Sequence, residues 1–387
     1  MAGFLARIYA FKLFDAFILI FPLYAVMFAD AGLSPVQISI CLIAWSAVNF
    51  VLQVPSGVIA DRYSRRRILA VAQLGRATGF AVWLVYPHFW GFLVGLVLWG
   101  IKSAFTSGTF EALLYDELKA RGATGTYTQV FGRTRAVQAI GVLLAALGAA
   151  AVARHGYRPT MFASVGSTLM AVAAAAALPR APAQVSAAEP DYLSHLRQGL
   201  AVAFRQLAVL DILVFSSLVL ALGAALEEFW PIFGAQVGVA RPLIALFVGA
   251  QNAIEALVSL FAYRLAALRP RGFYVLFAVC GVMLLGASTV FTPSAMVLLA
   301  LYSGLMKLIG VVFEGRLQHA ISSSQRATIG SVKGFLAQIG ITALYVGFGP
   351  VAQATSYRVA FMACGCAGVA IGLGYLAGPW LRRPSVT

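Results

Sequence analysis

The sequence predicts an all-α membrane protein with twelve transmembrane helices in two six-helix halves related by pseudo-symmetry. Three observations support this fold class: the composition, a series of long apolar segments, and an internal repeat. Hydrophobic residues make up 61% of the 387 positions, charged residues only 11%, and the mean hydropathy is +0.88. Because these values lie far outside the range of soluble globular domains, we expect the chain to reside in a lipid bilayer.

Apolar segments recur along the whole chain, and each is long enough to cross a hydrocarbon core of roughly 30 Å at about 1.5 Å per helical residue. Twelve spans are expected, beginning near residues 5, 37, 68, 89, 128, 160, 208, 242, 273, 294, 328 and 359. Transmembrane strands would instead read as alternating segments of about ten residues. We do not expect span 1 to be a cleaved signal peptide, because Lys12 and Asp15 interrupt it and no small-residue cleavage site follows promptly.

The positions of the basic residues predict the orientation in the membrane. The net charge is +15, and with both termini in the cytoplasm 20 of the 28 Lys and Arg fall in cytoplasmic loops and ends. The other eight are Arg154, Arg158, Arg241 and Arg358 outside, and Lys12, Arg76, Lys102 and Lys307 inside the membrane. We therefore expect a multi-pass protein of the cell inner (cytoplasmic) membrane, functional as a monomer and without a nucleic-acid partner.

The internal repeat consists of four pairs of similar segments in the same order, about 200 residues apart. The pairs are FPLYAVMFADAGLSP (21–35) with WPIFGAQVGVARP (230–242), TFEALL (109–114) with VFEGRL (312–317), GRTRAVQAIG (132–141) with GSVKGFLAQIG (330–340), and GYRPTMFA (156–163) with SYRVAFMA (356–363). Such a parallel repeat predicts two equivalent halves. The predicted boundaries are 1–178 for the N-terminal bundle, 179–207 for a cytoplasmic linker and 208–387 for the C-terminal bundle. Residues 191–206 of the linker have the spacing of a helix lying on the membrane surface.

The loop between spans 2 and 3, GVIADRYSRRRIL (57–69), places an aspartate and four arginines between two apolar runs. This pattern resembles the signature loop of the major facilitator superfamily, with Ser64 where the family usually has a second glycine. The resemblance covers the whole chain and implies alternating access between the two halves. It also implies a gating loop with an acidic partner for Arg65, formed by Gly57, Asp61, Arg62, Arg65, Arg66, Glu111 and Asp116. The alternative is a basic cluster that only anchors the topology.

Ionisable residues within the spans are the candidate functional residues, because a charge in hydrocarbon is costly unless it is paired or faces a water-filled cavity. Asp15 lies near mid-depth in span 1, and Glu227 and Glu228 lie at a similar depth in span 7. In the family that the chain resembles, spans 1, 4, 7 and 10 border the central cavity. The expected substrate or proton pathway comprises Lys12, Asp15, Arg76, Lys102, Glu227, Glu228, Asn252, Glu255 and Lys307. The alternative for each is a buried structural ion pair.

The adjacent acids Glu227 and Glu228 are the preferred site of energy coupling. Mutual repulsion keeps one of them readily protonated, and their own span contains no basic residue. Asp15 is the next candidate. Glu111 is assigned to the gating loop rather than to the pathway, because nine residues at about 100° each separate it from Lys102 and place the two on opposite sides of their helix.

No pattern indicates a metal, a cofactor or an enzyme active site. The four cysteines lie within apolar spans, the four histidines lie at loops or span ends, and the sequence has no HExxH motif and no phosphate-binding loop. The expected partners are a small-molecule substrate, a coupling proton or ion, and the lipid bilayer.

The predicted function is secondary active transport of a small organic solute, coupled to protons. Drug exporters of the family usually carry a Gly-Pro-rich signature on span 5, whereas QAIGVLLAALGAAAV lacks the proline and a Gly-Phe-Gly-Pro (347–350) lies on span 11 instead. This departure leaves efflux only modestly favoured over uptake. One alternative is proton- or ion-coupled uptake of an anionic or zwitterionic metabolite. The other is a transport-inactive sensor or scaffold, which would not need acids at mid-depth.

Overall fold

The structure, a computed structural model, describes residues 1–179, 207–322 and 325–378. Within these residues the chain is helical and no strand occurs. Eleven stretches of helix are long and apolar enough to cross a membrane. The predicted all-α membrane fold is confirmed, and the count is close to the twelve helices expected. The predicted surface helix at 191–206 falls outside the described residues and stays a prediction.

The described helices follow the predicted spans in order. Those of spans 1 to 6 are α1 (Ala2–Ala16), α2 (Tyr24–Asp30), α3 (Pro35–Arg62), α4 (Arg65–Val85), α5 (Phe89–Ala120), α6 (Tyr127–Val152) and α7 (Tyr157–Ala176). Those of spans 7 to 12 are α8 (Leu207–Glu227), α9 (Trp230–Gln236), α10 (Arg241–Phe261), α11 (Pro270–Val290), α12 (Met296–Ala320), α13 (Arg326–Ala354) and α14 (Tyr357–Ala377).

Spans 1 and 7 are each divided into a long and a short helix. Span 1 is interrupted between Ala16 and Tyr24, and span 7 between Glu227 and Trp230. With 15 and 7 residues, the two pieces of span 1 are each too short to count among the eleven. Both breaks lie beside a proline, Pro22 or Pro231, which has no amide hydrogen to continue a helix. Interrupted helices at corresponding positions of two repeats are typical of transport sites.

The chain forms two compact units. The first contains the described residues up to 179 together with Ala240–Asn252, and the second contains 207–239 with the described residues from 253 onward. The amino-terminal part of α10 therefore packs with the first unit, although the repeat assigns this helix to the second half. The predicted division into 1–178, 179–207 and 208–387 stays a prediction, because most of the linker lies outside the described residues.

Close packing of α4 on α5 positions the charged residues of the first unit. A Cβ atom on Gly95 would overlap the indole of Trp83, and one on Gly79 would lie 3.0 Å from the main-chain oxygen of Gly95. The two helices therefore approach closely only because both positions are glycine. This contact brings Arg76 of α4 and Lys102 of α5 to the same side of the bundle.

A similar contact joins α11 and α14 in the second unit. A Cβ atom on Gly281 would lie 2.5 Å from the main-chain nitrogen of Val369, and one on Gly365 would lie 2.7 Å from Cγ of Leu285. Aromatic side chains around Phe215 then connect these helices to α8 and α12. With α11 and α14 packed together, α8, α10, α12 and α13 supply the wall of an open cavity.

Candidate functional site

The first charged cluster surrounds Asp15, next to the last residue of α1. Its Oδ1 atom accepts a hydrogen bond from Nε2 of Gln73 at 2.7 Å and forms an ion pair with Lys102. Nη2 of Arg76 lies 3.3 Å from the same oxygen, and Nη1 donates to the main-chain oxygen of Asp15 at 3.0 Å. The last carbonyl groups of a helix lack partners within it, and cations are favoured there. Arg76 therefore compensates both the carboxylate and the end of α1.

Lys12 belongs to the same cluster but has a different kind of partner. Its Nζ atom lies 3.9 Å from the centre of the Phe110 ring, where an ammonium group is attracted to the aromatic face. Among the described residues, no acid lies within ion-pair distance of Lys12. Asp15 is close enough to act on it through its charge alone.

The cluster has two layers. Arg76 and Gln73 form the back layer, with 2% and 0% of their surface exposed, and Nη2 of Arg76 donates to Oε1 of Gln73 at 2.7 Å. Lys12, Asp15 and Lys102 form the front layer and keep 9%, 7% and 7%. The back layer positions the carboxylate, and the front layer holds the small part of the cluster's surface that is exposed.

The second charged cluster lines a cavity of about 320 Å³ in the second unit. Its charged residues are Glu227, Glu255, Lys307, Glu314 and Lys333. The rest of the wall is largely apolar and includes Val219, Leu220, Met306 and Val311. A mostly apolar wall with a few convergent polar groups is typical of sites for small organic ligands, which occupy roughly 300–1,000 Å³.

Two carboxyl groups of this cavity lie next to each other. The side chains of Glu227 and Glu255 are within hydrogen-bonding reach of each other, and Nζ of Lys307 lies 3.6 Å from Oε2 of Glu255. Two carboxyl groups can form a hydrogen bond only when one of them carries a proton, since a carboxylate has no donor. Lys307 balances one negative charge, and a proton shared by the two acids would balance the other.

Glu228 has a smaller part in this cluster than the sequence suggests. It acts on Glu227 through its charge, but it is not among the described residues of the cavity wall. The acid that meets Glu227 is Glu255, from a different helix. Sequence reasoning named Glu255 for the pathway without this partner, because which helices are neighbours cannot be read from depth along a span.

An ion pair between Glu314 and Lys333 lies on the same cavity wall. Lys333, which the charge distribution places at the cytoplasmic end of span 11, lies within the first turns of α13 and lines the cavity. The repeat contained the signal for this pair. Glu314 and Lys333 align with Glu111 and Arg135 of the first half, and those two residues also form an ion pair, at 3.5 Å.

Contacts are described for some of the predicted gating-loop residues, namely Arg65, Arg66, Glu111 and Asp116. Arg65 is ion-paired with Asp116, one of its two candidate partners, while the other, Glu111, pairs with Arg135. Nη1 of Arg66 donates to the main-chain oxygen of Leu178 at 3.4 Å.

Four further predicted residues of the gating loop and pathway have no described role in either cluster. A Cβ atom on Gly57 would meet nothing within 4 Å, so no described part of the chain packs closely against this residue. Arg62 is exposed, and the side chain of Asp61 lies outside the described part of the chain. Asn252 donates from Nδ2 to the main-chain oxygen of Val248 in its own helix, at 2.9 Å.

A third charged group, which sequence reasoning did not identify, connects helix ends in the first unit. Oδ2 of Asp30 accepts hydrogen bonds from Nη2 of Arg241 at 2.7 Å, from Nε of Arg241 at 3.1 Å, and from the hydroxyl of Tyr157. Asp30 ends α2 and Arg241 begins α10, so neither charge is favoured by its own helix dipole. Their contact with each other therefore explains why these two charged residues stand at these helix ends, whereas the stability of the individual helices does not.

The chain matches the family model of the Major Facilitator Superfamily over residues 6–341. No curated protein is similar enough in sequence to match it. Its fold is similar to that of the nucleoside transporter NupG, with a TM-score of 0.77 and 14% identity over 98% of each chain.

Two other solved structures show the same architecture. An auto-inhibited POT family peptide transporter has a TM-score of 0.73 and 13% identity, covering 99% of this chain and 97% of its own. A D-xylose-proton symporter has a TM-score of 0.69 and 13% identity, covering 96% of each chain. At such identities the similarity establishes the fold, and the solutes of those proteins are not carried over.

Proposed function

Because the chain belongs to the major facilitator superfamily and is thus a membrane transporter, we propose that it moves a small organic solute across the cytoplasmic membrane by proton-coupled alternating access. Export in exchange for protons is the proposed direction. The observation that carries the coupling is the contact between the carboxyl groups of Glu227 and Glu255 on the wall of the cavity.

Proton binding at this pair changes the charge of the cavity by one unit. With one proton shared, the pair and Lys307 together are neutral. When the proton leaves, two carboxylates face one ammonium group, and their repulsion favours a rearrangement or the arrival of another cation. A conformational change that alters the distance from Lys307 to Glu255 would therefore change the affinity of the site for protons. This is the property that a coupling site needs.

The test uses the purified protein in liposomes with an imposed pH gradient. Proton movement is followed with a pH-sensitive dye in the lumen, while amines, carboxylates, nucleosides, sugars and dipeptides are added in turn. With a solute that moves protons, Glu227→Gln and Glu255→Gln are expected to abolish gradient-driven accumulation but to retain downhill exchange of the labelled solute. The sign of the gradient that drives accumulation reports the direction.

The matched control is Asp211→Asn, on the same helix as Glu227. Asp211 accepts a hydrogen bond from the hydroxyl of Tyr274 at 3.1 Å and does not belong to the described cavity wall, so its variant should keep full coupling. If both glutamine variants still concentrate the solute in response to the pH gradient, the coupling site lies elsewhere or the driving ion is not a proton.

Uptake of an anionic or zwitterionic metabolite is the second candidate function. It is favoured by the cluster around Asp15, where three cations surround one carboxylate. Accumulation driven by an inward proton gradient, rather than by an outward one, would select this candidate.

A further inference from the structure

We propose that the cluster around Asp15 binds the anionic group of the transported solute, and that this solute is an organic carboxylate. The inference rests on the proposed function in one respect, namely that the chain moves a solute. Three features of the cluster support the inference: its net positive charge, the small exposed surface of Lys12, Asp15 and Lys102, and the aromatic rings beside Lys12.

The cluster contains more positive charge than its acid can balance. The cations Lys12, Arg76 and Lys102 are all close enough to Asp15 to act on its carboxylate. When all four groups are ionised, two positive charges remain without a counter-charge. An uncompensated charge away from water is costly, so the binding of an anion at this place is favoured.

Neighbouring charges do not remove this surplus. The nearest further acid and base that act on Lys12 are Glu111 and Arg135. They are paired with each other at 3.5 Å and together contribute no net charge. Within the described part of the chain, Asp15 is therefore the one acid that Arg76 and Lys102 share, and Lys12 has no acid within ion-pair distance.

The distribution of contacts indicates which cations are available to a ligand. Gln73, Arg76 and Lys102 all approach Oδ1 of Asp15, whereas Lys12 has an aromatic ring as its partner and no acid within ion-pair distance. Lys12 is nine-tenths buried yet belongs to the front layer of the cluster. A carboxylate placed beside it would give a buried ammonium group the partner that such groups normally have.

The surroundings of Lys12 favour an organic anion over a small inorganic one. The Phe110 ring beneath its ammonium group is stacked on Phe11, with ring centres 5.7 Å apart. Both rings are almost fully buried, so the surroundings of the ammonium group are apolar. An apolar group attached to the carboxylate suits such surroundings, whereas a small inorganic ion needs polar partners on every side.

The test measures ligand-induced stabilisation of the purified protein in detergent. Benzoate, lactate and succinate are compared with their neutral amides benzamide, lactamide and succinamide, and unfolding is followed by tryptophan fluorescence on heating. We expect at least one carboxylate to raise the unfolding temperature in a concentration-dependent way while its amide does not. In Lys12→Met the dissociation constant of that carboxylate should rise at least about ten-fold, and in Lys12→Arg it should stay close to that of the wild type.

The control variant is Lys119→Gln, which removes an exposed lysine from the same helix as Lys102 and should leave carboxylate binding unchanged. The proposal is overturned if no carboxylate stabilises the protein, if the amides stabilise it equally, or if Lys12→Met binds the carboxylate as the wild type does.

A measurement without ligand tests the charge surplus directly. If the cluster is over-charged, Lys12→Met should raise the unfolding temperature of the ligand-free protein, because it relieves repulsion while keeping an apolar stem over Phe110. A fall would mean that Lys12 is part of a balanced structural cluster and would count against the proposal. Neither experiment involves a pH gradient, so failure of the coupling proposal at Glu227 and Glu255 would leave both results unaffected.

Discussion

The two units hold their buried charges in opposite ways. In the first unit, three cations lie near the single carboxylate of Asp15, which is hydrogen-bonded to Gln73 and ion-paired with Arg76 and Lys102. In the second unit, Glu227 meets another acid, and the cavity wall has three acids against two lysines. Both acids lie where the first span of their repeat is interrupted.

The difference originates in span 3 and its counterpart, span 9. Span 3 supplies Gln73 and Arg76, which reach the end of α1. In span 9, α11 has no charged residue after Arg271, so nothing equivalent can reach the end of α8. The comparison teaches that the repeat retained the broken helix while the groups around the break diverged. Asp15 is surrounded by cations, whereas Glu227 faces a second acid.

The largest expected difference between the two units is the loss of stability when the acid at the helix break is replaced by its amide. Asp15→Asn leaves three buried cations without a carboxylate and should lower the free energy of unfolding by about 3–5 kcal/mol. Glu227→Gln should change it by less than about 1 kcal/mol, because the amide can still donate a hydrogen bond to Glu255. Equilibrium unfolding in mixed detergent micelles measures both values. Equal losses in the two variants would break the comparison.

A smaller effect is expected at the back layer of the first cluster. Arg76→Lys keeps the positive charge but loses the planar arrangement of donors that reaches the carboxylate, the carbonyl of Asp15 and Gln73. It should lower the free energy of unfolding by about 1.5–3 kcal/mol in the same assay. Arg271→Lys, at the exposed amino end of α11, is the matched substitution in the second unit and should stay within about 0.5 kcal/mol of the wild type.

The smallest expected difference is in the strength of the two equivalent ion pairs, Glu111 with Arg135 and Glu314 with Lys333. The side chain of Arg135 is 58% exposed, whereas that of Lys333 is 16% exposed. Double-mutant cycles should give a coupling energy of at most about 0.5 kcal/mol for Glu111 with Arg135, and about 1 kcal/mol for Glu314 with Lys333. A larger value for the exposed pair would mean that burial does not determine the strength of these contacts.

The fold and the broad class of site could be predicted from the sequence because both depend on properties that run along the chain. Span positions follow from hydropathy, and the residues of both clusters were found because ionisable groups are rare in apolar segments. The interruption of span 1 was not predicted, because hydropathy measures how apolar a segment is and not whether its main-chain hydrogen bonds are continuous. The proline shared by the two repeats, Pro22 and Pro231, was the available signal.

The partners of each charged residue could not be predicted, because they depend on which helices are neighbours and how each is rotated. Helical spacing puts Asp15 on the same face of α1 as Lys12. Its ion pairs are nevertheless with Lys102 and Arg76, which close packing of α4 on α5 brings together. The pair of Glu314 and Lys333 is a different case. Aligning the two halves residue by residue makes Glu314 and Lys333 the equivalents of Glu111 and Arg135, so that either ion pair predicts the other.

The contact of Asp30 with Tyr157 and Arg241 differs from both buried clusters in the medium that surrounds it. The side chains of Arg241 and Asp30 are 46% and 37% exposed, and in the predicted orientation they face the outside of the cell. Dissolved ions weaken attraction between exposed charges over about 8 Å at physiological ionic strength, and over shorter distances in more concentrated solutions. The salinity of the surroundings therefore acts on this contact directly, while burial shields the charges around Asp15 from it.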